Sequence, residues 1–326
     1  MIKWFTGEGK TGGDRYFLMI GEILSEKYEV QIEECFPIKI KGHPRLFSII
    51  AIPASIVCIN IRSLKLLKNG SQVCTLYYSG SIYIMAPPIS KEISLRFKSL
   101  FKYYALVDYI SRFGKNNIRI VIYISKFVKE NYKFKKKGIK EYVIYPTVIK
   151  DIPPANYSEK ENIIITVSRI SEEKKLLRLI NILDGLPFEH YLIGFPTDKL
   201  YFEKLKNVLK HTKFILDATE DTKYEYLKRA KIFINTSENE PFGLVIIEAM
   251  AFGAVPIAHK SGGPAEILPK DFLYIDDQEA RSLILKYMAE YNEGIFNMLR
   301  EQARKFTTQK MKEELFRAID ETFGND

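Results

Sequence analysis

Short apolar, β-branched runs alternate with longer amphipathic ones along the whole chain, the pattern of βα units feeding a parallel sheet. In the first half they predict strands at 2–6, 28–32, 73–78, 118–124 and 142–145, and helices over 14–27, 44–69, 90–113 and 127–137. A polar, proline-marked segment at 150–162 breaks the rhythm and reads as a linker. Strands follow at 163–167, 191–193, 214–216, 232–236, 255–258 and 272–275 with helices between them, and helices near 294–306 and 309–323 close the chain. The pattern predicts an α/β fold of two Rossmann-like, doubly wound domains, 1–150 and 151–308, facing each other across a cleft. In such sheets ligands bind at the carboxyl ends of the strands.

At 326 residues the chain is roughly twice the ~150 residues of one domain, and 46% hydrophobic with 27% charged residues is an ordinary globular composition. A single small module and a disordered chain are excluded. The net charge of +9 divides unevenly: residues 1–150 hold 25 Lys+Arg against 11 Asp+Glu, a net of +14, and the remainder 24 against 29, a net of −5. Phospholipid headgroups, a phosphorylated substrate and nucleic acid are all admissible partners for the basic half, as is solvent alone. Cys35, Cys58 and Cys74 are odd in number and lack metal-ligand spacing, so neither a disulfide framework nor a zinc site is expected, and a reducing cytoplasm fits. No signal peptide is expected, because Met1 leads almost directly into the short, largely apolar run Ile2 to Phe5, with no basic region followed by a long apolar region. The longest apolar stretch, 46–61, is interrupted by Pro53 and Asn60 and falls short of the ~20 residues of a membrane span, so it reads as a buried or interfacial helix.

Two clusters carry candidate chemistry. In the segment 235–253 a strand ends in a polar loop and Phe242-Gly243 opens a helix whose only charged side chain, from Pro241 to Ala258, is Glu248. A carboxylate there needs dedicated donors, and ligand hydroxyls would serve. Glu240 sits in the loop, where the N–H groups of Phe242, Gly243 and Leu244 at the helix end attract phosphate. The alternative is structural: Glu240 caps the helix and Glu248 bonds internally. Arg169 and Lys174 follow the strand 163–167 and are placed to converge on a diphosphate, the first as a fork and the second as a point charge. An exposed charged helix start is the alternative for them.

Glu240 and Glu248 with Phe242-Gly243, the Arg169–Lys174 loop and Ser261-Gly262-Gly263-Pro264 together resemble the retaining glycosyltransferases of family 4, strongly over 160–270 and thinly before it. Gly12-Gly13, Ile124-Ser125-Lys126-Phe127-Val128 and Val143-Ile144-Tyr145-Pro146 carry the likeness in the first half. The resemblance implies the GT-B fold, with a C-terminal helix at 309–326 crossing toward the N-terminal domain. It implies a nucleoside diphosphate sugar as co-substrate, no separate cofactor, and transfer of a hexose to a lipid-linked or glycan hydroxyl. Arg169, Lys174 and Glu240 become the catalytic candidates. The implied donor-binding set is Gly12, Gly13, Arg169, Lys174, Glu240, Phe242, Gly243, Leu244 and Glu248, with Glu248 on the ribose. The stretch from Pro256 to Pro264 is similar to the α-1,2-mannosyltransferases of dolichol-linked oligosaccharides, which favours GDP-mannose over UDP-sugars.

Positive charge from Arg169, Lys174 and the helix end can stabilise a departing diphosphate without a metal, and no Asp-x-Asp motif is present. The histidine that many members carry after the third strand is missing from Ser81 to Pro88, and His43 reads as a surface turn residue. A non-catalytic GT-B protein binding a nucleotide sugar or glycan therefore stands as the rival reading. The segment 7–13 lacks the first glycine of a P-loop, since Trp4 occupies that place. Nucleic-acid binding through the basic half is a weaker reading, with no recognisable module to support it. Arg96, Lys98, Lys102 and Arg112, mixed with Phe97, Phe101, Tyr103, Tyr104 and Phe113, suit an anionic membrane surface better, implying a cytoplasmic protein peripheral on that membrane face.

Overall fold

The computed structural model describes residues 2–6, 12–34, 72–75, 81–85, 117–132, 134, 136–147 and 151–324. The expected helices over 44–69 and 90–113 lie outside the described residues, and with them Cys35, His43, Cys58 and the basic-aromatic segment 96–113. The chain divides into two units, Met1–Val148 with Gln309–Asp326, and Ile149–Thr308.

The first unit holds a parallel sheet of β1 (Ile2–Thr6), β2 (Val30–Glu34), β3 (Gln72–Thr75), β4 (Ile82–Met85), β5 (Ile120–Tyr123) and β6 (Lys140–Val143) in the order β2-β1-β3-β4-β5-β6. Among the described residues, α1 (Gly12–Ser25) and α2 (Lys126–Asn131) accompany it. The hydropathy pattern does not anticipate β4, which lies inside the stretch read only for its missing histidine. The strand is a four-residue apolar run whose first three residues are buried between β3 and β5, and a strand covered on both faces shows no alternation to read. β2 starts at Val30, not residue 28, because the Tyr28 N–H closes the end of α1 on the Leu24 carbonyl at 2.9 Å. α2, expected over 127–137, starts on a Ser125 cap and ends at Asn131, and the Phe134 N–H then donates to the buried Tyr123 hydroxyl. Part of the lysine-rich run is likewise structural, since Lys136 Nζ donates to the Ile118 carbonyl.

The second unit contains β7 (Glu161–Val167), β8 (Glu189–Gly194), β9 (Thr212–Leu216), β10 (Ala230–Asn235), β11 (Val255–His259) and β12 (Leu273–Tyr274). Its helices are α3 (Leu179–Leu183), α4 (Lys199–Val208), α5 (Glu220–Arg229), α6 (Leu244–Ala251), α7 (Pro264–Ile267), α8 (Asp277–Glu290) and α9 (Glu293–Ala303). The strands pair in parallel in the order β12-β11-β10-β7-β8-β9, the doubly wound arrangement in which the order of strands across the sheet reverses between β7 and β10. The segment read as a linker is anchored over its second half: residues 157–159 form a 3-10 turn and the Tyr157 ring stacks on Tyr291, 5.8 Å between centroids.

The last helix, α10 (Thr308–Phe323), belongs with the first unit from Gln309 onward. Met311, Leu315, Ala318 and Ile319 share one helical face and are buried against Ile20, Ile23 and Leu24 of α1 and the apolar residues of β1, β4 and β5. Two tyrosines clamp it, Tyr28 donating to Asp320 at 2.7 Å and Tyr142 to Glu321 at 2.6 Å. No helix among the described residues is long and apolar enough to cross a membrane.

Candidate functional site

The loops leaving β7 and β10 emerge side by side, since Ile164 and Ile165 are in register with Ile232 and Phe233. Their crossovers run to opposite sides of the sheet, which opens a crevice at the carboxyl ends of these two strands. Arg169 lies two residues beyond β7 and Glu240 five beyond β10. The topology therefore brings together two clusters that are some seventy positions apart in sequence.

The β7 loop turns sharply. A Cβ at position 194, the last residue of β8, would overlap the Ser168 carbonyl, so Gly194 alone lets the loop pass. Lys174 ends a 3-10 turn, Glu172–Lys174, and its Nζ lies 2.6 Å from Glu240 Oε2. Its carbonyl accepts from Thr236 Oγ1 at 2.7 Å, so backbone and side chain both tie the β7 loop to the β10 loop. Arg169 lies 3.6 Å from Glu173 and close enough for its charge to act on Glu240. Burial alone would raise the Glu240 carboxyl. The Lys174 charge and hydrogen bond, the Ser237 hydrogen bond and the Arg169 charge together hold it below its ordinary value.

The Ser261–Pro264 motif forms the other wall of the Glu240 loop. Ser261 Oγ accepts from the Asn239 N–H at 2.8 Å and is hydrogen-bonded to His259 Nδ1 at 2.8 Å. The Gly263 N–H donates to the Glu240 carbonyl at 2.8 Å. Gly262 adopts φ 69°, and a Cβ there would press on the Glu240 backbone, 2.8 Å from its nitrogen. Farther out, Arg178 joins Glu238 (2.9 Å) to Asp277 (2.6 Å), fixing the loop's outer edge to the start of α8.

Beyond the loop, Gly243 caps α6 and Leu244 is its first residue. The Phe242 side chain is buried, edge-on to Phe306 at 6.3 Å, so only its backbone is in question as a ligand group. Glu248, in the second turn of α6, is 3% exposed. Its donor is a side chain that sequence reasoning missed: Lys223 Nζ, on α5, contacts both carboxylate oxygens at 2.8 and 2.9 Å. The expectation that ligand hydroxyls would be its donors is corrected to that extent, since Glu248 has an internal cation. The only hint in the sequence was an apolar helix with one carboxylate, which demanded a partner without naming it. Gly12 and Gly13 form the amino end of α1 in the first unit.

Residues 148–306 match the model of a family described as glycosyl transferases group 1. The sulfoquinovosyl transferase SQD2 of Arabidopsis thaliana is 28% identical over 180 residues, covering 50% of this chain and 35% of that protein. The GDP-Man:Man(3)GlcNAc(2)-PP-Dol alpha-1,2-mannosyltransferase of Dictyostelium discoideum is 24% identical over 251 residues, covering 67% of this chain and 48% of the relative. The chain thus spans half or less of the length of these curated relatives. Among solved structures, Alr3699/HepE of Anabaena in complex with UDP and glucose superposes with a TM-score of 0.71 at 17% identity, over 98% of this chain and 99% of the other. The fold is that of the GT-B glycosyltransferases, α/β with a parallel sheet in each of two domains.

Proposed function

We propose that the protein is a retaining, family 4-type glycosyltransferase that moves a hexose, with mannose favoured, from a nucleoside diphosphate sugar to a lipid-linked or glycan hydroxyl. The observation that carries the reading is the joining of Arg169, Lys174 and Glu240 at the carboxyl ends of adjacent strands, at the point where the second sheet reverses. Support comes from the family matched by 148–306, from relatives named for mannosyl and sulfoquinovosyl transfer, and from a neighbour of the same fold holding UDP and glucose.

In this reading the sugar–phosphate bond breaks as negative charge builds on the departing diphosphate. Arg169 and Lys174, with the N–H groups at the start of α6, offset that charge without a metal ion. Lys174 is already oriented by Glu240, so little reorganisation is needed when the donor arrives. Glu240 and the backbone of 242–244 hold the sugar and phosphate, while Glu248 takes the ribose. The acceptor hydroxyl attacks from the face the diphosphate leaves, giving retention, and the leaving phosphate accepts its proton. No protein nucleophile is required. Gly12 and Gly13, in the proposal, are donor-binding residues whose lack of a Cβ lets backbone come close to a phosphate.

A thermal-shift panel of GDP, UDP and their sugars tests the donor, because ligand at 100 times its Kd adds ~2.7 kcal/mol of stability. GDP and GDP-mannose are expected to shift the transition most. Arg169→Ala and Glu240→Ala are each expected to abolish transfer in a folded protein, and full activity in both would overturn the site.

A further inference from the structure

Lys223 is 8% exposed and lies in the first turn of α5, where a cation meets the positive end of the helix dipole. Local sequence preference therefore opposes it, and burial adds a desolvation penalty. Both are offset by two carboxylates, Glu248 on both oxygens and Glu220 at 3.0 Å. α5 follows the carboxyl end of β9 and packs on β7 and β10, so it brings this amine to the edge of the sheet that carries Glu240. We infer that Lys223 is a positioning residue for ribose recognition: by contacting both oxygens it fixes the Glu248 carboxylate plane so that the carboxylate can accept from ribose hydroxyls. This rests on the nucleotide-sugar reading of Glu248. A carboxylate offers about four acceptor sites, more than the Lys223 amine takes. Lys223 itself touches neither ribose nor the reacting atoms.

The test compares GDP and UDP with their dideoxy analogues, which lack both ribose hydroxyls, by measuring the Kd of each for the full chain. Wild type is expected to prefer the ribose form by roughly tenfold or more, as a buried hydrogen-bonding site does. Lys223→Met is expected to bring the two affinities to within about twofold by weakening ribonucleotide binding alone, and Lys223→Gln, which retains a neutral donor, to fall between. If Lys223→Met does not fold, Lys223→Gln decides alone. A variant that folds and keeps the wild-type preference overturns the inference, since a purely structural lysine changes stability but not this ratio. A wild type that binds both forms equally instead overturns the reading of Glu248.

Discussion

Lys174 Nζ sits 2.6 Å from Glu240 Oε2, which joins the loops after β7 and β10 through one ion pair whose partners are 16% and 18% exposed. Its two ends come from different loops, so it acts as a latch on the crevice as well as a charge within it.

Breaking the latch exposes the carboxyl's own tendency. In wild type Glu240 is held below its ordinary value, so the pair's contribution is fully present above about pH 4.5 and is lost as pH falls through the depressed value. In Lys174→Met the Lys174 charge and hydrogen bond are both lost, so the carboxyl rises from its wild-type position. The acidic limb of donor binding is then expected to move to higher pH, as a Kd–pH profile would show, and an unmoved limb would rule out Lys174 as the controlling charge.

Gly194→Ala is a packing test. The added methyl overlaps the Ser168 carbonyl, so the Arg169 loop must shift. Destabilisation of about 2 kcal/mol is expected in urea unfolding, with weaker nucleotide binding than stability alone explains. Retained stability and affinity would show that the loop adjusts freely.

His190 is expected to add to acid sensitivity. It is buried on β8, hydrogen-bonded to Thr166 Oγ1 at 3.0 Å and Thr212 Oγ1 at 2.9 Å, and burial lowers it from 6.5 to about 3. The unfolded chain binds a proton below pH 6.5 that the folded chain refuses, so stability is full above that pH and declines on acidification. Between pH 7 and pH 5 this residue should remove about 2 kcal/mol, and His190→Gln should flatten that slope. Parallel slopes in the two proteins would be the contrary result.

The charge split predicts where the protein works. With +14 on residues 1–150, binding to anionic vesicles is expected at low salt and release as salt rises, read by co-sedimentation. Binding to oligonucleotides in preference to vesicles would favour the nucleic-acid alternative.

Much of this was legible in the chain because it depends on local rules. Strand runs, the Gly243 helix start and the charged loops are short-range patterns, and they place Arg169, Lys174 and Glu240 at strand ends. β4 escaped because a short strand buried on both faces has no periodicity, and α2 ended early because a tertiary hydrogen bond to Tyr123 captured the backbone beyond it.

The sequence by itself determined the α/β class, the succession of strands apart from β4, the division of charge and the residue types at each loop. Only the tertiary structure decided that β7 and β10 are neighbours, that Lys174 faces Glu240, that Gly194 must clear Ser168, and that Glu248 is held by a lysine 25 positions away. Pairing between distant segments depends on which strands lie side by side and on what burial requires of each charge, and neither is encoded in any local window.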